Sequence, residues 1–166
     1  MERRPRKTNN REDGAQREFD QKVVEVTRVT RVVAGGKRMR FRALVVIGDH
    51  KGKVGMGLKK GLDVAESVNK AINQAKKNMI KLPLVNDTIP HEVSIKYKAS
   101  KIMMRPARTG TGVIAGGAIR SVMDLAGVKN VISKMIGSSN KVNNIKAVFK
   151  AFESMKSKEQ MQNARK

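Results

Sequence analysis

Between Arg38 and Asp49 the sequence reads RMRFRALVVIGD, and its side chains alternate. Met39, Phe41, Ala43, Val45 and Ile47 share one side of an extended chain; Arg38, Arg40 and Arg42 share the other. A period of two specifies a strand with an apolar side on a core and a cationic side facing away. The preceding segment, KVVEVTRVTRVV (Lys22–Val33), is rich in β-branched residues and partly alternates, and Ala34-Gly35-Gly36-Lys37 between the two is a turn. A second turn, Asp49-His50-Lys51-Gly52, leads to a short strand, Lys53–Leu58. The expected unit is a three-stranded antiparallel meander.

A helix follows. Val64, Val68, Ala71, Ile72, Ala75 and Met79 recur at helical spacing, with Asp63 as N-cap, Glu66 in the capping-box position and an end before Pro83. LPLVNDTIP (Leu82–Pro90) holds two prolines and an Asn-Asp turn, and reads as a hinge between two units. Beyond it, HEVSIKYKAS and KIMMRPA read as strands, Ala118–Ala126 as a helix closed by Gly127, and Val128–Ile136 as a strand. A last helix from about Lys141 to Met155 turns Val142, Ile145, Val148, Phe149, Phe152 and Met155 inward. The chain is therefore expected to be α+β, two small α/β units ordered βββα and ββαβα. The expected boundaries are a disordered basic arm over 1–18, a first domain over 19–82, a C-terminal domain over 83–156 and a tail over 157–166.

Charge narrows the function. Thirty-six Lys and Arg oppose fourteen Asp and Glu, a net +22. Self-repulsion of that size disfavours a compact state until a polyanion neutralises it, and nucleic acid does so with release of counterions. Aromatic residues are 3% of the chain, with one Tyr and no Trp, so base-stacking platforms are not expected. Binding to helical RNA through shape, phosphate and 2′-OH is. The chain has no cysteine, which fits a reducing cytoplasm, and neither the polar first residues nor the short run ALVVI suggests a leader or a membrane span.

Two stretches are candidates for phosphate. Arg28, Arg31, Lys37, Arg38, Arg40 and Arg42 cluster around Gly35 and Gly36, where glycine lets a backbone approach closely and arginine binds phosphate oxygens bidentately. Lys59 and Lys60 extend this set, and Lys51 within the second turn and Lys53 just after it are further candidates for binding RNA. The other stretch is RPARTGTGVIAGGAIR, from Arg105 to Arg120. It has no P-loop, and three residues between Gly112 and Gly116 break the dinucleotide fingerprint. The residues leave two readings open: a tight loop feeding a helix, or free N–H groups that hold RNA phosphate beside Arg105, Arg108 and Arg120. Catalysis finds no constellation. His50 and His91 are the only histidines, His50 reads as a solvated turn residue, and no acid pair or metal-ligand spacing stands out. No cofactor or metal is expected.

VTRVTRVVAGGKRMRFRALVVIGDHKGKVGMG together with RPARTGTGVIAGGAIRSVMDLAGVKNVISKMIGSSN resembles the bacterial small-subunit ribosomal protein S-five family, over about Phe19 to Met155. The resemblance implies a first domain like a double-stranded RNA-binding domain without its first helix. It implies a second domain with a left-handed βαβ crossover, against the usual handedness. It further implies a non-enzymatic constituent of the small (30S) subunit that binds 16S rRNA, helps line the mRNA entry path and supports decoding accuracy. The Arg28–Arg38 hairpin loop would lie near the spectinomycin site, with Arg28 and Arg31 towards the messenger path. Proteins S-four and S-eight would be neighbours, with Gly112 and Arg120 near the S-four contact. The chain departs from the family pattern at Ala34, where Lys is usual, and at Lys141, where Pro is usual. Two other classes stay as alternatives: a free-standing double-stranded RNA chaperone and a nucleotide-binding enzyme.

Overall fold

The computed structural model describes residues 19–155. The expected N-terminal arm and C-terminal tail lie outside them, apart from Phe19 onward and up to Met155. The elements are β1 (Asp20–Val33), β2 (Gly36–Gly48), β3 (Lys53–Gly61), α1 (Val64–Lys77), β4 (Met79–Lys81), β5 (Val93–Tyr97), β6 (Ser100–Pro106), β7 (Val113–Ile114), α2 (Gly117–Ala126), β8 (Val131–Gly137) and α3 (Lys141–Ser154). β1 to β4 form one antiparallel sheet in chain order. The second sheet runs β5-β6-β8-β7, antiparallel except for the parallel pair β7/β8 that α2 connects. The α+β architecture of two small units stands.

Two strands escaped the sequence reading. The helix expected to reach Pro83 stops at Lys77, and Met79–Lys81 turns back as β4 to pair with Lys53–Gly55 of β3. Met79 is thus a strand residue packed on the α1 core, not part of a helical stripe. β7 is only two residues long and lies inside the glycine stretch. Asp63 does occupy the N-cap, but its side chain makes no capping bond; Glu66 reaches back instead to the N–H of Leu62 at 2.7 Å. At α3 the cap is made as its sequence suggests. Asn140 accepts from Val142 N–H at 3.0 Å, so the helix starts at Lys141 without the proline.

The alternation expected of β2 does not appear in its burial: Gly36 to Arg40 are exposed on both faces, and Phe41 and Arg42 are half-buried. From Ala43 to Gly48 every residue is buried. Ala43, Val45 and Ile47 face α1 and pack with Ala71 and Ala75. Leu44 and Val46 face the opposite way and join α2 and α3 in one larger core with Val122, Met123, Leu125 and Phe152. The first sheet is therefore a middle layer between α1 and the C-terminal unit. Each fully buried Leu or Val side chain is worth roughly 1.5–3 kcal/mol over the exposed state, so this second contact is a substantial one.

Backbone fit tightens the junction. A Cβ on Gly48 would sit 2.1 Å from Leu125 O. The last carbonyls of α2 lack intrahelical partners, and the β2–β3 turn supplies them: His50 N–H donates to Leu125 O at 3.0 Å and Gly52 N–H to Ala126 O at 2.9 Å. Gly127 ends the helix in the left-handed region, φ 79°, as its position suggested. The 82–90 segment is held as well. Leu82 and Ile89 are core residues, Leu82 N–H donates to Gly52 O at 2.7 Å, and Asp87 O accepts from Lys129 and Asn130 N–H at 2.9 and 3.1 Å. Asn86 and Asp87 take left-handed φ of 50° and 61°, residue types that tolerate it, in a tight turn between Val85 and Thr88.

Candidate nucleic-acid interface

β2 pairs with β3 only from Phe41 to Gly48, whereas its pairing with β1 continues to Gly36. The tip of the β1/β2 hairpin therefore projects beyond the sheet as a two-stranded ribbon. Five residues of β2, Gly36 to Arg40, lie past the last β3 partner, roughly 17 Å at the usual strand rise. Every residue from Thr30 to Arg40 is exposed, including the apolar Val32 and Met39. A two-stranded ribbon is marginal in water by itself, and this one is held at its root, where β3 joins the sheet.

Register decides which cations act together. Arg31 pairs with Arg38, Val29 with Arg40, Thr27 with Arg42, and Arg42 with Lys60 of β3. Directly paired residues share a face, so Arg31, Arg38, Arg40, Arg42 and Lys60 form one continuous cationic row. Val29, Thr30, Arg31, Arg38, Arg40 and Lys60 line a shallow groove there. None of the five cations forms an ion pair among the described residues. Their charge is available to an external anion.

Arg28 is not in this row. It pairs with Phe41 and so projects from the other side of the ribbon, where its Nε donates to Met39 Sδ at 2.9 Å. Arg28 and Arg31, grouped together on the sequence, face opposite ways. Lys37 also falls on the Arg28 side, paired with Val32. Lys59 pairs with Ala43 and points to the α1 side, away from Lys60. Gly35 and Gly36 close the hairpin tip with nothing within 4 Å of where a Cβ would stand, so close approach by a partner is sterically open there. Lys51 and Lys53 lie at the opposite end of the sheet. Their backbone N–H groups donate to Asp49 Oδ1 at 2.8 and 2.9 Å. Partial burial of Asp49 opposes its ionisation, but these two bonds and the Lys53 charge outweigh it and hold its carboxyl below the usual range.

The glycine stretch has a different use from a phosphate cradle. Asn130, 4% exposed, sits beneath the loop, and its Oδ1 accepts the N–H of Gly110 at 3.0 Å and of Gly112 at 3.1 Å. Val131 N–H donates back to Gly112 O at 3.1 Å. Gly110 and Gly112 have φ of 93° and 75°, where an L side chain is strained. The two N–H groups that a nucleotide would need are spent on a buried side chain, which removes the nucleotide-loop reading. Arg105 is engaged too, with Nε 2.9 Å from Glu92 Oε1. Arg108 and Arg120 are both exposed, Arg108 in the loop after β6 and Arg120 in the first turn of α2.

His50 and Asn130 were missed as organising residues. Asn130 left a trace, a polar residue between apolar ones in GVKNVIS. His50 left none, because its partners are Asp124 O, 2.8 Å from Nδ1, and Asp20 Oδ2, 2.9 Å from Nε2, both distant in the chain.

Comparison with known proteins places this geometry. Residues 19–83 match the family described as Ribosomal protein S5, N-terminal domain, and residues 95–165 match Ribosomal protein S5, C-terminal domain. Small ribosomal subunit protein uS5 of Chloroflexus aurantiacus is 47% identical over 148 residues, covering 89% of this chain and 83% of that protein. A cationic ribbon with no acidic partner, a glycine loop spent on structure and both family halves in order lead to one assignment: the chain belongs to the ribosomal protein S5 family, the non-enzymatic uS5 proteins of the small ribosomal subunit.

Proposed function

We propose that this protein is a structural constituent of the cytoplasmic small subunit that binds 16S rRNA through the Arg31–Arg38–Arg40–Arg42–Lys60 row. The observation that carries the reading is that all five cations, three on the projecting ribbon and Arg42 and Lys60 at its root, share one face and form no ion pair among the described residues. Arginines spaced two apart along a strand meet phosphates bidentately and with little loss of side-chain freedom. The exposed tip, Ala34 to Gly36, is the part that reaches furthest from the core and suits the mRNA entry path and the neighbourhood of the spectinomycin site. Through that position the hairpin supports decoding accuracy. The glycine loop with Gly112 and the exposed Arg120 form the contact with the neighbouring protein S-four, and S-eight meets the C-terminal unit. The division at 82/83 into an RNA-binding and a C-terminal domain belongs to the same reading, with the interface between them permanently closed.

The test is 16S rRNA binding by the full chain against salt. Affinity falls steeply between about 50 and 200 mM if several phosphates are neutralised. A flat response overturns the reading. Recovery of the protein away from the small subunit favours the free-standing chaperone instead.

A further inference from the structure

The first sheet carries cations on both sides, and the arginine row uses only one of them. On α1, Lys70, Asn73, Gln74 and Lys77 are spaced i, i+3, i+4, i+7, which sets them on one face about 10 Å long. Lys59 of β3 stands on the same side of the sheet, because it pairs with Ala43, whose side chain packs under α1. These five residues line one groove, and none is acidic. Gln74 has its Oε1 committed to the N–H of Leu58 at 3.0 Å, so what it has left to offer a ligand is its amide hydrogens. Lys70 is paired with Glu66, while Lys59 and Lys77 form no ion pair among the described residues. The groove offers ammonium groups and amide donors, with no apolar side chain among its lining. A protein partner would want an apolar centre depleted of lysine, so the lining favours a phosphate backbone.

We infer that this lysine groove is a second ribosomal RNA phosphate site, on the opposite side of the sheet from the arginine row. It rests on the RNA-binding reading above and extends it. Lys59 and Lys60 are consecutive on β3 and project to opposite faces, so one strand feeds both sites. β4 covers β3 only from Lys53 to Gly55, and beyond that the edge of β3 is open, apart from Gln74 reaching to Leu58. RNA that follows this open edge meets arginine on one side and lysine on the other. The two chemistries differ: the arginine forks fix orientation, and the lysines act as adaptable point charges.

The chain has no cysteine, so single thiols can be placed at will. Iron-EDTA is tethered to Asn73→Cys in the lysine groove and, separately, to Val29→Cys in the arginine row, and each full-length variant is bound to 16S rRNA. Strand scission is expected from both tethers, at different nucleotides. Scission from residue 29 alone overturns the second site and leaves the first intact; scission from neither overturns the RNA-binding reading itself. A companion variant, Lys59→Gln with Lys77→Gln, is expected to lower the slope of log affinity against log salt by about two, one per lost phosphate contact. An unchanged slope with unchanged helical circular dichroism also overturns the inference.

Discussion

His50 bridges to Asp20 across the base of the first sheet, its Nε2 2.9 Å from Asp20 Oδ2. Its Nδ1 meets the carbonyl of Asp124 at 2.8 Å. A carbonyl and an ionised carboxylate can only accept, so both ring nitrogens are satisfied together only in the imidazolium. The Asp20 hydrogen bond, the Asp124 carbonyl and the charges of Asp20 and Asp49 raise the pKa of His50 above its ordinary 6.5, and partial burial works against them. Lys22 Nζ lies 3.7 Å from Asp124 Oδ2.

A raised folded-state pKa means that the folded chain holds the proton more tightly than the unfolded one. The stabilisation is fully present below about 6.5 and is lost as pH rises through the raised value. Urea unfolding at about pH 6 and about pH 8.5 should therefore give the lower midpoint at the higher pH. In His50→Gln that part of the pH dependence should vanish.

Gly57 has no room for a side chain: a Cβ there would lie 1.8 Å from Ala71 O in the backbone of α1. Gly57→Ala must push the helix off the sheet. A loss of about 1–3 kcal/mol, at the upper end because the obstacle is backbone, is expected from urea denaturation with an unchanged m-value.

Removing the amide of Asn130 orphans two N–H groups at once. Asn130→Ala should cost roughly 1–3 kcal/mol for each donor left without a partner and water. Faster hydrogen exchange confined to Gly110 and Gly112 would identify the cause, and a change spread evenly over the domain would contradict it.

Arg40→Ala lies in the unpaired cationic row, away from the core. Its folding stability should stay within about 0.5 kcal/mol of the parent while the salt slope of 16S rRNA binding falls by about one. Arg28→Ala, on the other side of the ribbon, should leave that arginine groove intact and protect the same RNA positions in footprinting.

Arg120 is exposed in the first turn of α2 and pairs with no acid among the described residues. Arg120→Ala is expected to change misreading frequency in translation while thermal unfolding stays within about 0.5 kcal/mol of the parent. Unchanged misreading would remove Arg120 from the protein contact proposed for it.

Much of the fold is legible where a periodic pattern meets a single environment. The α3 stripe from Ile145 to Phe152 is such a place, with its apolar face dry and Lys150 and Glu153 wet. ALVVI defeated the same logic because both its faces are buried, and a continuous apolar run does not say what covers the second. β4 and β7 are too short to show any period, and they exist because β3 and β8 offer edges to them. The cationic site was visible as composition, but its membership was not. Only the register separates Arg31 from Arg28 and Lys60 from Lys59, since a shift of one residue reverses every side chain.

The contact of Gly48 with Leu125 has a bearing on assembly. A methyl group would not fit between strand and helix there, and α2 has its last carbonyls tied to the turn that follows the same strand. The two units therefore cannot swing apart by a small adjustment; they separate only by unfolding one side of the joint. The reach of the arginine ribbon relative to the C-terminal unit is thus set by folding itself, before anything binds.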